Sequence, residues 1–385
     1  MFFLYIVSLI LSFIGIRLKY SHTQNILAFF VIFLICLMGA SMRDGYDTNN
    51  FISSFQTVLD YKSDAFETIS FAYSPLYFYL VLFSIKLGIT NFFVFKFIIL
   101  IICYILISKG IKYRNSNICI ILFLYLLGPF FDDVMQLRNT ISLAICIYAT
   151  KFLYRSDRKS TILYILLIFL ATLNHFSFAF AFLFLLSKFD KHFAVKMCFL
   201  AGLFLYFFTL IFRNFFLVEY ISGFLVDAKL SEITSTTTRF GSLGILLFYI
   251  VNVFLVYHCN KRINYFCQFK KVNLNGINIL ELTRMSTIIY DATRIMAICL
   301  FMSVTALSFS RMIRDVILLF LLEFSIYNTV VFANNIYKEK TSCIIVLVVA
   351  MLMMLFWMYF GNFVQGPPED IIYSVFRGDI NWFGK

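Results

Sequence analysis

The sequence is poor in charge. Only 14% of its 385 residues are Asp, Glu, Lys or Arg, whereas 62% are hydrophobic. A soluble domain averages roughly 25% charged and 45–50% apolar residues, so this composition excludes an ordinary soluble protein. The apolar residues form continuous runs and do not alternate with polar ones, which excludes an outer-membrane barrel. We therefore predict an all-α, polytopic integral membrane protein.

Signatures of metal and nucleotide binding are also missing. Nine cysteines are present, but none forms a CxxC pair, and His258 beside Cys259 has no further ligand at metal-site spacing. No cysteine lies in a predicted outer loop, so no disulfide framework is implied. A glycine-rich phosphate loop is not visible either. We expect no metal and no cofactor.

The net charge of +12 is explained first by Lys and Arg in cytoplasmic loops. No nucleic-acid partner is therefore expected. At about 20 apolar residues a span, the apolar content allows about twelve transmembrane helices. The loop 41–74 carries two basic residues against five acidic ones, which is typical of an extracytoplasmic loop.

The run 75–89 decides the orientation of the rest. If it crosses the membrane, every later basic loop falls outside, against the positive-inside rule. We therefore predict that Pro75–Ile89 is a re-entrant or interfacial helix. The chain then forms one membrane domain over 1–385 with both termini outside and outer segments at 41–74, 213–243 and 361–385. The run 161–187 is either one long span or a hairpin, and the polar pair Asn174-His175 in its middle favours the hairpin.

Arginine on the predicted outer side is the most informative feature, since the positive-inside rule does not require it. A planar guanidinium binds phosphate oxygens, often bidentately, although a single outer arginine can also snorkel or pair with a nearby acid. Several arginines around an outer cavity suit a lipid pyrophosphate. We predict that three of them line a shared outer pocket, with two second-rank members: Arg138, Arg311 and Arg314, then Arg43 and Arg239.

Two residues are candidates for a general base. His175 lies at an outer turn, and an ordinary imidazole accepts a proton near neutral pH. Asp47 would need a raised pKa, whereas neighbouring arginines lower it. A structural histidine and a plain helix cap are the alternatives. Glu323 lies deep in an apolar run, where it is either functional or hydrogen-bonded to another helix. An aromatic belt is predicted for Tyr46, Tyr61, Tyr73, Tyr77 and Tyr79.

Three stretches, in this order, resemble the EpsG-like family of bacterial polysaccharide polymerases, which includes many Wzy-type O-antigen polymerases. The first is Arg43-Asp44-Gly45-Tyr46-Asp47 with Phe51 and Phe55, an R-x-G-x-D pattern after the second span. The second is Gln136-Leu137-Arg138-Asn139-Thr140, an outer-turn arginine that opens a span. The third is Ala171-Thr172-Leu173-Asn174-His175-Phe176-Ser177, a run that ends in H-x-S. A later arginine in Ser310-Arg311-Met312 also fits.

The resemblance implies a type C glycosyltransferase fold in the bacterial inner membrane with its active site facing the periplasm. Its implied substrates are undecaprenyl-pyrophosphate-linked oligosaccharide repeats, joined with release of undecaprenyl pyrophosphate. Membrane lipid is a further partner, and the resemblance allows a chain-length regulator protein. Three alternatives stay open. They are an O-antigen ligase, which the R-x-G-x-D loop disfavours, a lipid flippase or transporter, and a scaffold of the assembly complex. A transporter predicts charges at the midplane and matched halves, and no internal repeat is visible.

Overall fold

The structure is a computed structural model. It describes residues 1–18, 21–43, 46–62, 74–112, 116–155, 157–189, 191–212, 239–269, 279–305, 310–334, 336–360 and 368–378. Every regular element in these ranges is helical. The chain forms two compact units. Unit 1 comprises Met1–Ala181 and Gln365–Lys385, and unit 2 comprises Phe182–Val364. The single membrane domain predicted over 1–385 stays a prediction.

The described helices of unit 1 are α1 (Phe2–Arg17), α2 (Ser21–Ala40), α3 (Tyr46–Tyr61), α4 (Pro75–Lys86), α5 (Phe92–Lys112), α6 (Ile118–Leu126), α7 (Pro129–Met135), α8 (Leu137–Thr150), α9 (Arg158–Asn174) and the C-terminal α18 (Pro368–Phe376). A 3₁₀ helix follows α9 over Phe176–Phe184. The α-helices of unit 2 are α10 (Leu185–Lys188), α11 (His192–Phe212), α12 (Arg239–Phe269), α13 (Ile279–Ile295), α14 (Leu300–Thr305), α15 (Ser310–Arg314), α16 (Ile317–Ala333) and α17 (Tyr337–Phe360).

Six helical stretches in the described residues are long and apolar enough to cross a membrane: His22–Ala40, Phe92–Ile111, His192–Ile211, Leu243–Gln268, Met312–Phe332 and Glu339–Tyr359. A bent pair, α6 with α7, raises this number to seven. A helix of 20 residues is about 30 Å long, which matches the hydrocarbon thickness of a bilayer. The prediction of a helical, multi-pass membrane protein is confirmed. The count of about twelve crossings and the type C fold stay predictions.

The chain bends by 77° between α6 and α7. Pro129 occupies the first turn of α7, and Gly128 before it has φ −156° and ψ −75°. Proline lacks an N–H and disfavours helical conformation in the residue before it, so α6 cannot continue. The chain therefore turns at Gly128, and the seven residues of α7 separate α6 from α8. Gln136 and Arg138 lie at the start of α8, soon after this bend.

Helix α4 is too short to cross a bilayer by itself. Its 12 residues make about 18 Å of helix, against a hydrocarbon core of about 30 Å. After Lys86 the chain turns at Gly88, whose φ of +84° is a conformation that glycine adopts without strain. The length of α4 is consistent with the predicted re-entrant or interfacial element.

The chain doubles back after α9. His175 is extended, with φ −150° and ψ 112°, and ends the helix. The hydroxyl of Tyr164, ten residues before Asn174, donates to the carbonyl of Ala181 at 2.6 Å. The segment after His175 therefore runs back along α9. The structure thus has the predicted hairpin and excludes one continuous helix over 161–187.

One end of unit 1 gathers four chain segments that the sequence placed on the outer side. The ring of Phe376 in α18 lies 5.3 Å from that of Phe2 and 6.0 Å from that of Phe131. Gly378, just after α18, meets the backbone of Ser41. The N-terminus, the end of α2, the α6–α7 bend and the C-terminal segment thus share one end of unit 1. Most of the predicted outer loop 213–243 lies outside the described residues, and so does Asp44.

Buried polar groups of unit 2 pair both between helices and within one helix. Ser286 of α13 donates to the Glu323 carboxylate of α16, and Asn260 of α12 donates to the Ser286 hydroxyl at 2.9 Å. Arg294 contacts Asp291 at 3.3 Å, as their spacing of three residues predicts. Glu323 is therefore hydrogen-bonded to another helix, the structural alternative for this residue. Such interhelical hydrogen bonds stabilise helix packing where no water is available.

Candidate functional site in unit 1

Arg138 connects the three sequence stretches that carried the family resemblance. Its guanidinium lies over the ring of Phe51, with Cζ 5.4 Å from the ring centroid. Its backbone carbonyl accepts a hydrogen bond from the side-chain amide of Asn174. Phe51 belongs to the first stretch and Asn174 to the third. The second stretch therefore lies between the other two, and the contacts of Arg138 join all three.

The side chain of Arg138 is also held from α4. Its Nη1 donates to the hydroxyl of Ser74 at 3.1 Å, and Ser74 immediately precedes Pro75, the first residue of α4. The ring of Tyr77 in the first turn of α4 packs against Phe51 at 5.6 Å. Burial raises the pKa of the Tyr77 hydroxyl, and the positive charge of Arg138 acts in the opposite direction. The hydroxyl of Ser74 and the face of Phe51 thus both hold the guanidinium.

The position of Tyr77 differs from the one predicted for it in the aromatic belt. Its side chain is 1% exposed and packs against both Phe51 and Phe95, whereas Tyr61 and Tyr79 are exposed. A belt residue keeps its polar end at the membrane–water interface, so the prediction that Tyr77 belongs to the belt is wrong. The prediction failed because tyrosine content alone does not distinguish the two faces of a short helix. The side chains of Tyr46 and Tyr73 lie outside the description.

Arg43 lies over the first turn of α5. It is half-buried, and its Cζ is 5.8 Å from the ring centroid of Phe93. Asp47 is half-buried in the first turn of α3, where a carboxylate is favoured by the helix dipole. At this position an acidic residue can stabilise the helix without any catalytic role. Its role as a base stays a prediction.

His175 follows α9 directly after Asn174. Its Nδ1 lies 2.6 Å from the hydroxyl of Ser177, and its ring meets Phe178 edge to face at 6.2 Å. The adjacent Asn174 amide donates to Ser142 at 2.8 Å as well as to the Arg138 carbonyl. The Asn174 contacts therefore hold the start of the His175 turn against the start of α8. This places the predicted base next in sequence to a residue that contacts Arg138.

The remaining predicted arginines lie in unit 2. Arg314 ends α15 and is buried, as is the neighbouring Asp315. Arg311 shares this short helix, and Arg239 is the first residue of α12, but the structure describes neither side chain. Their role as pyrophosphate ligands, and the pocket predicted for Arg138, Arg311 and Arg314, stay predictions. Within the described ranges, no cluster of three or more His, Cys, Asp or Glu side chains could hold a metal ion.

The C-terminal segment contacts the chain just before Arg43. A Cβ added to Gly378 would lie 2.7 Å from the backbone oxygen of Ser41 and 3.0 Å from its carbonyl carbon. Real Cβ atoms almost never approach backbone so closely, so a larger residue forces the two segments apart. Gly378 thus permits α18 to pack against the segment that leads to Arg43.

Gly378→Ala is expected to lower activity by about tenfold, because it displaces the backbone two residues before Arg43. The measurement, with purified protein at matched folded concentration, is the rate of the glycosyl transfer that the resemblance implies. Gly244→Ala is the control, since its added Cβ meets only Phe356 at 3.6 Å, an ordinary contact. Wild-type rates for both variants would show that the Gly378 contact does not position the Arg43 segment.

Sequence reasoning missed several residues of this site. Ser74 was not singled out, and Tyr77 was assigned to the aromatic belt, because their contacts with Arg138 and Phe51 join distant parts of the chain. Ser142 is a polar residue inside an apolar helix, where its hydroxyl donates to the Ala171 carbonyl at 2.9 Å. A polar residue within the apolar run 135–153 is a signal that the sequence did offer.

The comparisons with known proteins identify the family of the chain. The model of the EpsG family matches residues 25–367, which is nearly the whole chain. No curated protein and no solved structure matches the chain significantly. The match covers all three stretches that meet at Arg138. The chain belongs to the EpsG family, which supports a glycosyl-polymerase-like role at a membrane in polysaccharide biosynthesis.

Proposed function

We propose that the protein is an O-antigen polymerase. It joins undecaprenyl-pyrophosphate-linked oligosaccharide repeats at the periplasmic face of the inner membrane. The observation that carries this proposal is the convergence of the three stretches on Arg138. The family match supports it, since the EpsG family includes Wzy-like polymerases.

The reaction forms one glycosidic bond and breaks one bond to pyrophosphate. The hydroxyl oxygen of the acceptor repeat attacks the anomeric carbon of the donor glycan. The bond from that carbon to the pyrophosphate oxygen breaks, and undecaprenyl pyrophosphate leaves with the electron pair. The hydroxyl proton passes to a base on the protein.

Arg138 and Arg43 are proposed to stabilise the departing pyrophosphate. Negative charge develops on the leaving oxygen, and preorganised cations in a water-poor site stabilise it most effectively. The guanidinium of Arg138 is already oriented by Ser74 and Phe51, so it needs little reorganisation during the reaction. An arginine also offers two parallel N–H donors to a phosphate, which a lysine does not.

His175 is proposed to accept the proton. When Nδ1–H donates to the Ser177 hydroxyl, the second ring nitrogen, Nε2, carries the lone pair that a general base needs. Ser177 then fixes the tautomer and the direction of the ring. Asp47 is the second candidate for this role.

Deletion of the gene in a strain of known surface polysaccharide tests the proposal. Loss of a polymerase leaves lipopolysaccharide capped with a single repeat. Wild-type protein and Lys86→Met, a change at an exposed lysine of α4, should restore long chains, whereas Arg138→Ala should not. Lipopolysaccharide with no repeat attached would identify a ligase, and repeats trapped in the cytoplasm would identify a flippase. Either result contradicts the polymerase.

A further inference from the structure

Lys96 is a buried cation that the mechanism above does not use. It lies in the second turn of α5, within a stretch of Phe, Ile and Leu, and its side chain is 1% exposed. In the part of the chain that the structure describes, its Nζ has no hydrogen-bond partner and no ion pair. Burial of an unpaired ammonium is costly, and an apolar side chain of the same length would avoid that cost. Packing therefore does not explain why this residue is a lysine.

The neighbours of Lys96 along α5 belong to the candidate site. Phe93, three residues before it, carries the guanidinium of Arg43 over its ring. Phe95, directly before it, packs against Phe55 at 5.3 Å and against Tyr77 at 6.2 Å. Tyr77 in turn contacts Phe51, on which Arg138 rests. The turn of α5 that bears Lys96 is therefore bordered by the rings that support both arginines.

A second set of contacts joins α5 to the two segments that lead to the arginines. Around Gly39 of α2, Leu100 Cδ1 and Val134 Cγ1 lie 3.0 and 2.8 Å from the position of an added Cβ. Leu100 is one helical turn after Lys96 and on the same face of α5. Arg43 follows Gly39 by four residues, and Arg138 follows Val134 by four. Each of the three segments that meet at this contact thus carries a cation four residues away.

A buried hydroxyl on α3 also lacks a hydrogen-bond partner among the described residues. Thr48 is fully buried, and its Oγ1 has no hydrogen-bond partner among the described residues. It shares a helix face with Phe51 and Phe55, the rings that contact Tyr77 and Phe95. Two polar groups, one cationic and one neutral, therefore lie on helix faces that border this cluster of rings.

We propose that Lys96 binds an oxyanion of the lipid-linked glycan, alongside Arg138 and Arg43. This inference rests on the proposed function for the identity of the ligand. The shared chemistry is a negatively charged oxygen, which either the pyrophosphate or the carboxylate of an acidic sugar supplies. A charge-assisted hydrogen bond to such an oxygen provides the partner that a buried ammonium requires. Lys96 thus acts by binding substrate, and its charge is offset only in the complex.

The test compares full-length, purified Lys96→Met and Lys96→Gln with wild-type protein and with Lys86→Met, the exposed control in α4. Two probes are used, inorganic pyrophosphate and glucuronate, and their affinities are measured from the rise in melting temperature with ligand concentration. Glycan elongation is measured in parallel. We expect Lys96→Met to melt at or above the wild-type temperature, since it removes a buried charge.

We expect about a tenfold or greater loss of affinity for one probe in Lys96→Met, with a similar fall in kcat/KM. Loss for pyrophosphate identifies the phosphate source, and loss for glucuronate alone identifies an acidic sugar. Unchanged affinity for both probes, or no binding of either probe by wild-type protein, overturns the proposal. Unfolding of both Lys96 variants also overturns it, because the lysine would then be structural.

The outcomes separate this inference from the proposed function. If Lys96→Met elongates glycan normally while Arg138→Ala does not, the polymerase stands and the role of Lys96 is wrong. If wild-type protein does not polymerise repeats but binds pyrophosphate in a Lys96-dependent way, the polymerase is wrong and the oxyanion site stands.

Discussion

Arg138→Lys is expected to abolish formation of long glycan chains, with a loss of about 10²–10³ in kcat. The lysine keeps the charge but loses the planar fork of donors, so it cannot contact Ser74 and two phosphate oxygens together. It also loses the flat face that stacks on Phe51. The measurement is single-turnover transfer with a defined lipid-linked repeat, so that chemistry is separated from substrate binding.

Arg158→Lys is the matched control for this substitution. Arg158 is exposed at the first turn of α9, in the same unit, and lies at the opposite end of that helix from Asn174. Its replacement should leave the rate unchanged within about twofold, as expected for a surface substitution. Normal chain lengths in the Arg138→Lys strain would show that a point charge suffices and that the bidentate role is wrong.

The sequence predicted those features of the fold that depend on hydrophobicity. Long apolar runs such as 92–108 became helices long enough to span a bilayer, because a chain in lipid must pair its backbone polar groups internally and a helix does so. The hairpin after Asn174 was favoured for the same reason, since a polar pair at the bilayer centre is costly. Helix boundaries were predicted less accurately where a proline, and not hydrophobicity, ends a helix. The bend at Gly128-Pro129 lay inside a run that hydropathy read as continuous.

The site was predicted in part. The three stretches were found in sequence, but their meeting at Arg138 depends on the Asn174 amide and on the Phe51 ring, which are tertiary contacts. Tyr77 and Ser74 entered the site only through the position of α4. Lys96 differs from them, because a lysine inside an apolar run is a candidate functional residue by itself. Its burial and lack of a partner became visible only once α3, α4 and α5 were packed together.

His175→Ala is expected to slow elongation by about 10²–10⁴-fold while lipid-linked substrate still binds. The imidazole is proposed to take the acceptor proton through Nε2, and alanine offers no lone pair for this. Ser177→Ala removes the hydrogen bond that orients the ring, so a smaller loss is expected.

Two observations distinguish a base from a structural histidine at this turn. A structural role predicts that His175→Ala lowers the melting temperature and the amount of folded protein, because the Phe178 contact is lost. A catalytic role predicts an unchanged melting temperature and a lower kcat at unchanged substrate affinity. His22→Ala, an exposed histidine of α2, controls for the substitution itself. A near-normal elongation rate in folded His175→Ala would remove His175 from the mechanism and leave Asp47 as the remaining candidate.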